Sequence, residues 1–270
     1  MMSFAHWAKL WRTSRGISSE DADRRKAVKI TAIVQARMGS TRLPGKVLMD
    51  LGGETVLARV VRRLRRATQI DEILVATTDS NADDAIILEC QRLGVLSFRG
   101  SENDVLDRYY QAATACAAGA VVRVTSDCPV IDPQLVDETV RVFQHDRSDY
   151  ASNVFPRTYP RGLDTEVFTV AALEQAWRDA HQSYEREHVT PYFYRHPELF
   201  QLVSQRGQID YSQYRWTLDI AEDLELLRII YSRLDNGDDF SWSEVIRLME
   251  REPELAELNS HVMQKALQGA

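Results

Sequence analysis

The feature that most narrows the fold is an alternation. From Lys29 onward, short apolar runs rich in β-branched residues at 30–34, 73–77, 95–98 and 121–125 are separated by amphipathic stretches long enough to cross a sheet. Strands apolar on both faces, joined by helical crossovers, specify a parallel sheet between two helix layers. In the first crossover Leu57, Val60, Val61 and Leu64 recur at i, i+3, i+4 and i+7. Arg59, Arg62, Arg63 and Arg66 take the opposite side and read as a solvated helix face. A further helical pattern follows Asp132-Pro133 and runs to about His145.

Beyond that point the texture changes. Residues 149–215 mix short β-like runs at 150–155, 166–170 and 200–204 with helical stretches at 171–181 and 184–194. They interrupt the alternation, and the expectation is an insertion at about 149–213 acting as a lid or dimerisation arm. Regular order resumes with 214–220 as a last sheet strand. A helix over 222–234 then lines up Leu224, Leu227, Tyr231 and Leu234, and a helical segment over 241–258 closes the chain. Residues 1–28 stand apart as an N-terminal extension: Phe4, Trp7, Ala8 and Trp11 could share one helical face ahead of a polar stretch. The expected organisation is therefore that extension followed by one α/β domain over 29–270, and 270 residues at 44% hydrophobic can bury its core.

Thirty-three Lys and Arg against 40 Asp and Glu give a formal charge of -7. Duplex nucleic acid is thereby disfavoured as the main partner, because backbone binding calls for a basic balance. Cys90, Cys116 and Cys128 show neither CxxC spacing nor a histidine at zinc-ligand spacing, and read as reduced thiols. No run reaches the eighteen or so apolar residues of a membrane span, and the N-terminus lacks a signal-peptide pattern, so a cytoplasmic protein is expected.

The chemistry concentrates in three stretches. QARMGSTRLPGK, residues 35–46, follows the first strand with Gly39, Ser40, Thr41 and Gly45 on a cramped turn and Arg37, Arg42 and Lys46 around it. Backbone N–H groups and cations so placed suit phosphate oxygens. The spacing is neither Walker A, since Val47 follows Lys46, nor GxGxxG. In VVRVTSDCP, Pro129 ends a strand and leaves Asp127 at the carboxyl edge of the sheet, where open α/β folds bind ligands. Asp219, in RWTLDIAED, sits at the end of the expected last strand. Two carboxylates with bound phosphates make a reasonable Mg²⁺ site, whereas Glu222 and Asp223 read as first-turn acids favoured by the helix dipole. Ser101 with Asp104 resembles a capping box. Of the six histidines only His188 stands out, and no motif argues for a covalent nucleophile.

Taken together, these stretches, with ATTDS at 76–80, FRGSENDVLDRYYQAA at 98–113, RGLDTEVF at 161–168 and REHVTPY at 186–192, resemble the cytidylyltransferases that activate sugar acids. The likeness extends to the 3-deoxy-octulosonate and acylneuraminate enzymes and especially to the spore-coat polysaccharide branch, over about residues 30–234. What the resemblance implies is a three-layer α/β/α, Rossmann-like fold of the nucleotide-diphospho-sugar transferase type, commonly homodimeric. The implied reaction joins CMP from CTP to a sugar or sugar acid and releases pyrophosphate, with Mg²⁺.

Carried over by position, Arg37, Gly39, Ser40, Arg42 and Lys46 fall where that family holds the triphosphate, beside Gln35, Ala36 and Met38. Thr77, Thr78, Gly100, Ser101 and Arg108 fall near the nucleoside, with Asp79, Asp104 and Thr125 completing the nucleotide set. Asp127 and Asp219 match the metal carboxylates, and Arg37 and Lys46 join them as catalytic. Asn153, Arg161, Asp164, Glu166, Arg186, His188 and Arg215 form the acceptor set and leave the acceptor open. Thr217 stands where acylneuraminate enzymes often carry a second Asp, which leaves the number of metal ions open. Two alternatives remain: a glycosyltransferase using a nucleotide sugar, which lacks its DxD here, and a non-catalytic nucleotide-binding protein of the same fold.

Overall fold

A computed structural model describes residues 28–234 and 238–262; of the expected N-terminal extension over 1–28, all but Val28 lies outside them. Strands β1 (Ile30–Gln35), β2 (Glu72–Thr78), β3 (Leu96–Gly100) and β4 (Ala120–Thr125) form where the apolar runs predict them. All four are parallel, in the order β3-β2-β1-β4. The chain moves outward from β1 to β3 and then crosses to the other side of β1 as β4. A crevice therefore opens at the carboxyl ends of β1 and β4, the topological switch point of the sheet.

Alternation along β1 explains the layers. Ala32 and Val34 pack with helices α1 (Val56–Leu64), α2 (Asp84–Leu93) and α4 (Pro133–His145) through Val60, Ile86 and Val140. Ile33 points the other way, onto α3 (Val105–Ala115) and α5 (Val170–Asp179) through Tyr109 and Leu173. The sheet thus carries a helix layer on each face.

Residues 149–213 contribute to the same sheet. Strands β5 (Tyr150–Ser152), β6 (Glu166–Thr169) and β7 (Leu202–Ser204) extend it in the order β4-β6-β5-β7, with β6 antiparallel to both neighbours. The helix expected over 184–194 is two pieces, α6 (Ser183–His188) and α7 (Pro191–Arg195). The break has a local cause: Val189 takes φ +72°, and Thr190 precedes a proline.

Three further expectations change. Residues 214–220 form no sheet strand; they make one isolated bridge, between Arg161 and Arg215, and run alongside loops. Gly162 permits this approach, since its φ is +101° and a Cβ there would lie 2.6 Å from the Trp216 carbonyl carbon. The terminal helix is divided into α9 (Trp242–Arg251) and α10 (Glu254–Glu257), because Pro253 cannot continue α9. Together with α8 (Ala221–Leu234), these close a third apolar cluster around Trp216, Leu227 and Tyr231.

The arginine face of α1 is not solvated throughout. Arg59 and Arg63 are buried. Arg63 donates to the carbonyls of Ile131, Asp238 and Phe240 at 2.7–2.9 Å, and its guanidinium lies over the Phe240 ring. Three carbonyls of irregular chain need donors, and one planar guanidinium satisfies them together.

Candidate active site

The turn after β1 is braced from inside. Ala36 N–H still donates to Ala76 O at 3.1 Å, and the Met38 carbonyl accepts from Ser40 N–H at 2.9 Å and Gly45 N–H at 3.0 Å. Gly45 makes the closure with φ +71°, a left-handed conformation that costs glycine little. Two of the loop amides are therefore spent within the turn, where the sequence suggested a row free for phosphate. Arg37 and Arg42 remain exposed; Gly39 is exposed and Ser40 partly so. Arg37 lies 3.8 Å from Glu102.

Lys46, by contrast, is buried and points inward. Its ammonium donates to Asp127 Oδ2 at 2.8 Å, Asp219 Oδ1 at 2.9 Å and the Leu218 carbonyl at 2.6 Å, using all three of its hydrogens. The two aspartates, far apart in sequence, thus converge on one cation beside the loop. Backbone contacts explain how. The Asp127 carbonyl accepts from Leu218 N–H at 2.8 Å and from Thr217 Oγ1 at 3.2 Å, so one aspartate's main chain moors the segment carrying the other. Asp223, fully buried, accepts from Asp219 N–H at 2.8 Å and Ile220 N–H at 3.2 Å and opens α8. It is the first-turn acid the sequence suggests, with a second task in fixing Asp219.

Electrostatics follow from that packing. Arg42 and Arg215 reach Asp219 Oδ2 at 2.9 Å and 2.6 Å. Burial alone would raise the Asp219 pKa, but Lys46, Arg215 and Arg42 outweigh it and hold it at about 2. Burial likewise works against the Lys46 charge, and the facing Asp127 and Asp219 carboxylates reverse the balance and raise its pKa.

On the other side of the loop the organising group is Asp83, which sequence reasoning missed. Its buried carboxylate accepts from Met38 N–H (2.8 Å), Thr77 Oγ1 (2.8 Å), Thr78 N–H (3.0 Å) and Thr78 Oγ1 (2.5 Å). It ties the loop after β1 to the end of β2. Desolvation pushes its pKa up, and these donors push it down further, leaving it lowered. The only sequence signal is an acid shortly after the ATTDS run.

The Ser101–Asp104 pair caps differently from a capping box. Asp104 is the N-cap of α3, accepting from Asp107 N–H at 2.9 Å, and Ser101 Oγ accepts from Asp104 N–H at 3.0 Å one turn earlier. Asp104 also binds the Arg186 guanidinium at 2.5–3.0 Å, so these two site candidates hold α6 against α3. Arg108 is completely buried and donates to the Ser101 carbonyl at 2.8 Å, while its Nε and Nη2 have no partner among the described residues. Asp79 is exposed, and its N–H donates to Gly100 O at 3.2 Å. At the end of β1, the buried Gln35 Oε1 has no partner among the described residues.

Between the aspartates and α6 lies a cavity of about 790 Å³, lined in part by Arg42, Asp127, Arg161, Asp164, His188 and Asp219, with Thr125 at its β4 side. Glu166 and Arg123 pair in its wall, and Glu166 also accepts from Tyr150 at 2.5 Å. Asp164 is held by Arg157 through two bonds of 2.6 Å and 2.8 Å. Burial and the neighbouring Arg123 lower the His188 pKa and favour the neutral imidazole. Asn153 and Arg215 are committed elsewhere: Asn153 bonds Leu163 O and Thr165 N–H, and Arg215 braces Asp219 and Asp223. Arg123 and Arg157 were not singled out from sequence. A charged residue inside the apolar VVRVT strand is the signal that could have found Arg123.

Asp127 and Asp219 suit a hard divalent cation such as Mg²⁺, since they already share one charged group and offer only oxygen donors. Among the described residues no cluster of three or more acidic, His or Cys ligands occurs, so water or phosphate oxygens would have to complete the coordination shell.

Comparison with known proteins adds the lineage. A family model described as cytidylyltransferase matches residues 31–264. The spore coat polysaccharide biosynthesis protein SpsF of Bacillus subtilis is 36% identical over 234 residues, 84% of this chain and 96% of its own. An uncharacterised protein of Methanocaldococcus jannaschii is 38% identical over 243 residues, 88% of this chain and 98% of that one. A solved cytidylyltransferase from Leptospira borgpetersenii superposes with a TM-score of 0.82 at 35% identity, covering 88% of this chain and all of that one, 100%.

Proposed function

The chain belongs to the cytidylyltransferase family and is a nucleotidyltransferase, and from that premise we propose that it joins CMP from CTP to a sugar or sugar-acid acceptor, releasing pyrophosphate, with Mg²⁺. The observation that carries this reading is the meeting of Lys46, Asp127 and Asp219 at the switch point, beside a cavity large enough for a sugar. The nucleotide's phosphates lie along the 36–46 loop and its nucleoside toward Thr77, Thr78 and the 100–104 turn. The acceptor takes the cavity.

In this reading the acceptor hydroxyl attacks the α-phosphorus in line, and negative charge grows on the oxygen that leaves with pyrophosphate. Arg37, Arg42 and Lys46 supply positive charge there. Asp127 and Asp219 would hold the Mg²⁺, which would neutralise phosphate charge as a Lewis acid. Arg161, half-buried on the cavity wall, is placed to meet an acceptor anion, and neutral His188 to accept or donate a hydrogen bond.

The SpsF name places that relative in spore-coat polysaccharide biosynthesis, and a role in polysaccharide or glycoconjugate synthesis in the cytoplasm fits the same chemistry here. Among the described residues no helix is long and apolar enough to cross a membrane. A homodimer assembled through residues 149–213 belongs to the same proposal, and light scattering on the full chain reports it.

Pyrophosphate release with each of the four nucleotides, against a panel of sugars and sugar acids, tests the reaction. CTP is expected to be preferred. Asp127→Ala is expected to fold and to lose at least a hundredfold in turnover; activity at the wild-type level would refute the metal assignment.

A further inference from the structure

Asp127 and Asp219 do not present an open pair of carboxylates. Lys46 spends all three donors on Asp127, Asp219 and the Leu218 carbonyl, and Arg42 and Arg215 occupy the second oxygen of Asp219. Arg215 is shared with Asp223 at 3.1 Å. Three cations therefore face three carboxylates, and the cluster carries no net charge. A free divalent cation entering it finds no negative field to repay its dehydration, and Mg²⁺ sheds water reluctantly. It must also displace an ammonium whose partners are partly withdrawn from water, where each contact is stronger than at the surface.

A polyphosphate changes that balance. It brings several negative charges to the loop that carries Arg37, Arg42 and Lys46, and gives the ammonium new oxygens to bind. From this arrangement we infer that Lys46 is a resident counter-ion that keeps the metal site closed in the free protein, so that metal binds only with or after the nucleotide. The inference rests on the assignment of Asp127 and Asp219 as metal carboxylates. Lys46 then has two tasks in sequence: it neutralises the aspartates while the site is empty of substrate, and it moves its hydrogen bonds to phosphate when nucleotide arrives. The two carboxylates are released by the same event that delivers the charge needing a metal.

Mn²⁺ serves as the probe, followed by the paramagnetic resonance signal of the free ion during titration into the full-length protein. Without nucleotide, the wild type is expected to bind no Mn²⁺ in the submillimolar range. Lys46→Met, also without nucleotide, is expected to bind at least tenfold more tightly, since Asp127 loses its cation, Asp219 loses one of its three, and the cluster is left with a net negative charge. Adding Asp127→Asn to that variant should abolish the gain. Submillimolar binding by the nucleotide-free wild type overturns the closed-site inference by itself, and this measurement stands even if Lys46→Met fails to fold. Should that wild-type binding vanish in Asp127→Asn, the metal assignment survives while the inference is lost. A folded Lys46→Met with no binding overturns the inference, and a wild type whose turnover with CTP needs no divalent ion removes the metal assignment beneath it.

Discussion

At the scale of single residues, the site depends on groups that do not themselves face the substrate. Asp83 accepts four hydrogen bonds and joins the β1 loop to Thr77 and Thr78. Asparagine there keeps the shape but replaces an acceptor oxygen with a donor nitrogen and removes the charge. Asp83→Asn is expected to raise KM for CTP about tenfold, with KM for the acceptor little changed. Purely structural damage would lower the active fraction and leave both KM values alone, so steady-state kinetics in both substrates separates the cases. The site candidates differ in how far sequence could place them. Lys46 and Asp127 were legible because a cation on a glycine turn and an acid just past a strand end carry their chemistry in their spacing; Asp219 joins them although the strand expected to carry it does not form. Asn153, Asp104 and Arg186 share that polar character, yet their hydrogen bonds join other parts of the fold and not the Lys46, Asp127 and Asp219 cluster. Only the side chains' directions distinguish the two groups, and one sequence does not encode directions locally.

At the scale of elements, apolar runs and period-3.6 patterns marked the four parallel strands and their crossovers; β1, β2 and β4 carry such runs because most of their residues are buried, while β3, at the sheet edge, is largely exposed. The 214–220 segment shows where such reading fails. It is apolar and β-like, but its partners are the Arg161 region and the Asp127 carbonyl, both distant in sequence. Helix α1 shows the converse. Its arginines repeat like a solvated face, whereas Arg63 is buried because carbonyls from two later segments need it. Arg63→Ala is expected to destabilise the protein by about 3 kcal/mol, since the Ile131 and Phe240 carbonyls lose their donor, the Asp238 carbonyl keeps only Arg66, and the Phe240 ring loses its cover. Urea unfolding measures this, and a loss below about 1 kcal/mol would show that solvent satisfies those carbonyls instead.

For the molecule as a whole, the ion cluster couples stability to pH. The Asp219 carboxyl is depressed from 3.8 to about 2. Its contribution is therefore present in full above the unfolded value and is lost as pH falls through the window between 3.8 and about 2. The size is on the order of 2 kcal/mol. The stability difference between wild type and Asp219→Asn should accordingly shrink as pH drops from 6 toward about 2; a difference that stays constant would show that the carboxylate gains nothing from its cations.

The backbone bond from Leu218 N–H to the Asp127 carbonyl has a consequence for biosynthesis. Every strand of the sheet precedes Leu218 in the chain. A ribosome thus emits the whole sheet before it emits the second aspartate, and a nascent chain can acquire its scaffold while still inert. Competence arrives late in translation, when the emerging 214–219 segment reaches back and moors beside Asp127.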